Sequence, residues 1–147
     1  MKALLLLLAI AQGPSVPGLT LAAGAQAAEA WQLAMPPADW SGLPELQYVR
    51  RSPDMEALSA FVRDEVNAGR CTAAGRVRSA AVVTLDLAVL VGPSGRIRKI
   101  VPRAIDCVTV EQYGSGLVSR LARDNLVTVG LTTPTWFRTT LVFSWPA

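Results

Sequence analysis

Apolar residues recur along this chain with two different periods. From Ala81 to Val91 they alternate: Val83, Leu85, Leu87, Val89 and Val91 fall on one face. Val82, Thr84, Ala88 and Leu90 make the other face mostly apolar as well, with Asp86 the exception. A strand that is apolar on both sides belongs in the middle of its sheet. Gly92-Pro93-Ser94-Gly95 follows as a turn, and Arg96–Arg103 reads as a second strand that closes an antiparallel hairpin. Trp136–Trp145 alternates again. Phe137, Thr139, Leu141, Phe143 and Trp145 share one face, and Arg138, Thr140, Val142 and Ser144 the other. Two further stretches carry the helical period. Met55, Leu58, Phe61, Val62 and Val66 predict a helix over 53–68, opened by Ser52-Pro53 and stopped by Gly69. Val110, Tyr113, Leu117 and Leu121 predict a second over 110–125. Its start carries a capping box, Thr109 to Gln112, with Val108 and Tyr113 as a hydrophobic staple. Gly114 and Gly116 weaken that helix and are expected to allow close packing on the sheet.

The order helix, strand, strand, helix, strand predicts an α+β fold. It is a three-stranded antiparallel sheet in the order 2-1-3, with two helices packed on one face. The two sheet edges differ. The second strand carries Arg96, Arg98, Lys99, Pro102 and Arg103, the charges and proline that guard an edge against stray pairing. The last strand has one charge, Arg138, and is rich in Thr, Val and aromatics. Such an edge suits the addition of a partner's strand. Alternatively the segment Trp31–Arg51 or a second copy of the chain covers it. That segment is rich in Pro, Trp and small residues and shows no sustained period. It is expected to run extended and to pack through Trp31 or Trp40.

The first thirty residues stand apart. Met1-Lys2, the apolar run Ala3–Ala11 and the small residues up to Ala27 or Ala30 have the layout of a cleaved secretory signal peptide. The chain therefore divides into a signal peptide (1–30), an extended lead-in (31–52) and an α+β domain (53–147). A membrane anchor over Leu4–Ala28 is the alternative, interrupted by Pro14 and Pro17. Export, to the periplasm in this reading, gives Cys71 and Cys107 a meaning, because disulfides persist in oxidising compartments. Closing the long loop between them stabilises a fold by about 4 kcal/mol in the chain-entropy treatment.

Composition then narrows the chemistry. The chain has 147 residues and no histidine, which excludes a Ser-His-Asp triad, a Cys-His dyad and a His-ligated metal. Lys2 and Lys99 are the only lysines against twelve arginines. The net charge of +3 is too small for a nucleic-acid partner, which calls for a clustered basic face. No cofactor or metal is expected, and no nucleophile–base pair is visible. Asp86 is either a buried carboxylate with a raised pKa or a partner for an arginine. Asp106 is placed to pair with Arg103, and Glu111 to favour a helix dipole. Arg96, Arg98 and Arg103 form either a basic face for an acidic partner, lipid or peptidoglycan, or ordinary solvated edge charges. Trp136 and Trp145 either stack on a ligand or pack.

The stretch 71–147 resembles the C-terminal domain of TonB, the energy transducer of Gram-negative bacteria. The resemblance lies in the alternating strand before Gly95-Arg96-Ile97, then Val101, then the helix around Val110-Glu111-Gln112-Tyr113. It closes on Trp136-Phe137-Arg138 to Phe143-Ser144-Trp145. The block Cys107–Tyr113 looks like an exported, anchor-less subgroup with a paired upstream cysteine. In that family the last strand's edge binds a short extended segment of an outer-membrane receptor. The resemblance thus implies that Arg138, Thr139, Thr140, Leu141, Val142 and Phe143 bind a partner segment, with Arg138, Thr140 and Val142 facing one side of it. A self-associating structural protein is the alternative, and a small hydrolase the more distant one.

Overall fold

The computed structural model describes residues 35–50, 55–77, 79–128 and 130–146. The expected signal peptide, Trp31 and the expected Ser52-Pro53 helix start lie outside the described residues. In chain order the elements are α1 (Met55–Asn67), β1 (Gly75–Val77), β2 (Ala80–Val91), β3 (Ile97–Pro102), α2 (Val108–Leu121) and β4 (Thr135–Pro146).

The most apolar strand is central, as its two-sided hydrophobicity requires. β2 pairs antiparallel with β4 along its whole length, from Ala80↔Pro146 to Val91↔Thr135. On the other side of β2, β3 takes the Leu87–Val91 end and the short β1 takes the Ala80–Val82 end. The three long strands therefore lie in the order β3–β2–β4, the expected 2-1-3, with β4 at an edge. β1 was not expected; three residues, two of them Gly and Arg, carry no periodic signal.

The core lies between the sheet and the two helices. Val83, Leu85, Leu87, Val89 and Val91 of β2 meet Leu141, Phe143 and Trp145 of β4 on the face that also buries Val62 of α1 and Val110, Leu117 and Val118 of α2. Tyr113 joins the helices to the sheet. Its ring lies 4.6 Å from that of Phe61 and 6.0 Å from that of Phe143, and its hydroxyl donates to the Leu58 carbonyl at 3.0 Å. Gly114 permits this approach: a Cβ there would run into the Leu85 and Leu141 side chains. Gly116 has no such role, since it faces open space.

α1 ends at Gly69, whose φ of +70° suits glycine alone. The start of α2 differs from expectation. Cys107 is the N-cap residue and makes no side-chain capping bond. The Thr109 hydroxyl turns away to donate to Glu65 Oε2 at 2.6 Å, so the Thr109–Gln112 box does not form. Glu111 Oε1 instead accepts the N–H groups of Ile105 and Cys107 at 2.8 and 3.4 Å. Val108 is exposed and staples nothing. Cys71 and Cys107 are bonded, with Cα atoms 5.0 Å apart across 36 positions of sequence. The bond ties the end of α1 to the start of α2. Among the described residues no helix is long and apolar enough to cross a membrane.

Candidate functional site

β4 alternates strictly between exposed and buried positions from Arg138 to Pro146. Thr139, Leu141 and Phe143 point into the core, and Arg138, Thr140 and Val142 point to the open face of the sheet. Their backbone groups alternate too: one parity of residues bonds to β2 and the other parity points out of the sheet edge. Arg138 identifies the outward parity. Its N–H donates to the Pro44 carbonyl at 2.8 Å, and its carbonyl accepts the Leu46 N–H at 2.7 Å.

The lead-in thus adds one parallel bridge, Glu45↔Arg138, to the edge of β4. Beyond it the chain crosses to the loop after α2. Val49 N–H donates to the Asn125 carbonyl at 2.8 Å, and Val127 N–H to the Gln47 carbonyl at 3.0 Å. Leu46 is buried in the core. The far end of the edge is closed from α1. The Ser59 hydroxyl accepts the Ser144 N–H at 3.0 Å while donating to the Met55 carbonyl at 2.8 Å. Between these two closures lies a window. Thr140 and Val142 share the outward parity, and neither has a backbone partner across the edge among the described residues.

Two hollows flank the window. On the helix side a cavity of about 220 Å³ is walled by Tyr48, Met55, Leu121 and Leu141. Burial raises the Tyr48 pKa, with Thr139 beside it lowering it in part, and the enclosed hydroxyl has no hydrogen-bond partner among the described residues. On the open face a cavity of about 230 Å³ is lined by Trp40, Asp86, Arg103, Arg138 and Thr140. There the Arg103 guanidinium sits 4.4 Å from the centre of the Trp40 ring and 3.6 Å from Asp86 Oδ2. Thr140 Oγ1 donates to Asp86 Oδ1 at 2.7 Å. The Asp39 carboxyl beside them is held below its usual range by hydrogen bonds from the Ser41 N–H and hydroxyl, with Arg103 adding to the effect.

Several expectations are settled by this geometry. Asp86 is a half-exposed partner of Arg103, not an isolated buried carboxylate. Arg103 pairs with Asp86 rather than Asp106, because Asp106 sits in a left-handed turn (φ 57°) beyond the end of β3. Trp40 packs on the domain. Trp145 is buried in the core and Trp136 half-buried. Sequence reasoning missed Tyr48, Met55 and Ser59 as walls of the window. The signal for Tyr48 was present: Leu46 and Tyr48 are both turned inward while Gln47 and Val49 are exposed, a period of two too short to stand out. No family model, curated protein or solved structure matches the chain.

Proposed function

We propose that this chain is a protein-interaction module that binds an extended segment of a partner by strand addition at the β4 edge. It works in the periplasm after export and has no catalytic role. The observation that carries this reading is the outward row of β4. Its Arg138 end already accepts a backbone partner from the lead-in, and the next two outward residues, Thr140 and Val142, have none among the described residues. Edge groups of this kind are the template for β-augmentation, in which main-chain bonds give affinity and flanking pockets give selectivity. An added strand alternates its side chains between two faces. One side chain would enter the Tyr48–Met55 hollow, and its neighbours would meet Trp40, Arg103 and Arg138. A short segment that alternates apolar and polar residues fits this frame. The resemblance of 71–147 to the TonB C-terminal domain makes an outer-membrane receptor segment the first partner class to try.

The test is titration of such segments and of scrambled controls into the oxidised chain. Trp40 fluorescence and calorimetry are the readouts. The native segments should bind more tightly, and Val142→Pro should abolish binding. Proline removes one outward N–H yet is tolerated on a sheet edge, so the variant should melt close to the parent. Native segments binding no tighter than scrambled ones reject the receptor as partner. Undiminished binding by Val142→Pro rejects strand addition. Sedimentation that shows concentration-dependent dimers blocked by Val142→Pro assigns the edge to a second copy instead.

A further inference from the structure

A cleft of about 740 Å³ opens between the β2–β3 turn, the start of β3 and the end of α2. It shares no lining residue with the two hollows beside β4. Arg96 and Arg123 are among its lining residues, and Asp124 is the single acidic one. Neither arginine side chain has an ion pair or hydrogen bond among the described residues. Ser94, Ser119 and Thr128 add hydroxyls.

An arginine just beyond a helix commonly offsets the partial negative charge of its last carbonyls. Here three of the last four carbonyls of α2 are already occupied. Val118 accepts from the Ala122 N–H, Arg120 from the Arg123 N–H, and Ala122 from the Asn125 N–H. The Leu121 carbonyl accepts Asn125 Nδ2 at 2.9 Å. The Arg123 side chain bonds to none of these carbonyls, and among the described residues the excess positive charge of the cleft is left unmatched. Guanidinium forks pair best with the oxygens of carboxylates and phosphates. The volume lies within the range of small-molecule sites. The lining contains no aromatic ring and only Ile97, Ala122 and Leu126 as apolar members, which suits a polar ligand.

We infer that this cleft binds a small polar polyanion through Arg96 and Arg123, its oxyanion groups held by the two guanidiniums and its remaining polar atoms by the Ser94, Ser119 and Thr128 hydroxyls. This site is independent of the strand window. Citrate and pyrophosphate serve as probes in calorimetric titrations of the oxidised full chain, with chloride held constant. At least one should bind saturably. Arg96→Gln and Arg123→Gln should each weaken it about tenfold or more, the scale of a charged hydrogen bond. The Lys variants should recover only part, since they keep the charge and lose the fork. Arg63→Ala, which removes the same charge from α1, should leave binding unchanged. Both arginines are exposed, so the variants should melt like the parent. Citrate alone binding assigns a carboxylate ligand, pyrophosphate alone a phosphate ligand, and both the shared oxyanion chemistry. No saturable binding of either, or equal binding by the Gln variants, overturns the inference.

Discussion

Glu65 shows how one buried charge can be carried by its neighbours. It lies in the last turns of α1 and is 5% exposed. Arg70 grips it with two bonds, Nη2 to Oε1 at 2.6 Å and Nε to Oε2 at 3.0 Å, and the Thr109 hydroxyl supplies a third. The Arg70 hydrogen bonds, then that from Thr109, outweigh desolvation and hold the carboxyl at a pKa of about 2, against 4.5 for a free group. A folded pKa below the unfolded one means that the carboxylate contributes stability above pH 4.5, and that this contribution is lost as pH falls toward 2. Thermal melts of the parent and of Glu65→Gln should therefore differ most above that window, with the parent the more stable, and should converge at its acid end. A gap that stays constant across the titration would show that the charge of Glu65 contributes nothing.

At the scale of elements, α2 carries two glycines with opposite consequences. Gly114 lies against β2 and β4, where an added methyl meets Leu85 and Leu141. Overpacking of that kind costs about 1–3 kcal/mol, more than the helix propensity that alanine restores. Gly116 is exposed with nothing near it, so Gly116→Ala should stabilise by about 0.5–1 kcal/mol. Denaturant midpoints of the two variants should move in opposite directions, and a shift of the same sign in both would refute the close-packing role of Gly114. The two glycines look alike in the sequence because the helical period does not say how near the sheet comes. The same division separates what was legible from what was not. β2, β4 and the sheet order follow from alternation over ten residues and from the contrast between the two edges, which are local properties. The start of α2 was misread because the Thr109 hydroxyl answers to Glu65, 44 positions away. The narrowing of the β4 edge to a window at Thr140–Val142 was not legible either. It depends on the lead-in folding back onto Arg138 and on Ser59 reaching Ser144, contacts of high sequence separation with no local signal.

For the whole molecule, the disulfide decides how the parts share stability. Cys71 and Cys107 are 3% and 1% exposed, and their loop of 36 positions contains β1, β2 and β3. The central strand and the guarded edge are therefore held inside one covalent ring, while β4 and both helices lie outside it and pack onto it. Opening the ring leaves every folded contact available and releases chain entropy in the unfolded state, at a cost of about 4 kcal/mol. That is a large share of the ~5–15 kcal/mol typical of a domain. With a melting shift of about 4–8 °C per kcal/mol for a domain near this size, reduction should lower Tm by roughly 15–30 °C. The double variant Cys71→Ser/Cys107→Ser should match the reduced parent, and the unreduced protein should titrate no free thiol. Because the window at Thr140–Val142 is built by β4, α1 and the lead-in, all outside the ring, a reduced protein kept well below its new Tm should bind an added strand as the oxidised one is proposed to do. Loss of binding without loss of fold on reduction would mean that the ring shapes the edge itself, and the division between covalently held core and docking strand would be wrong.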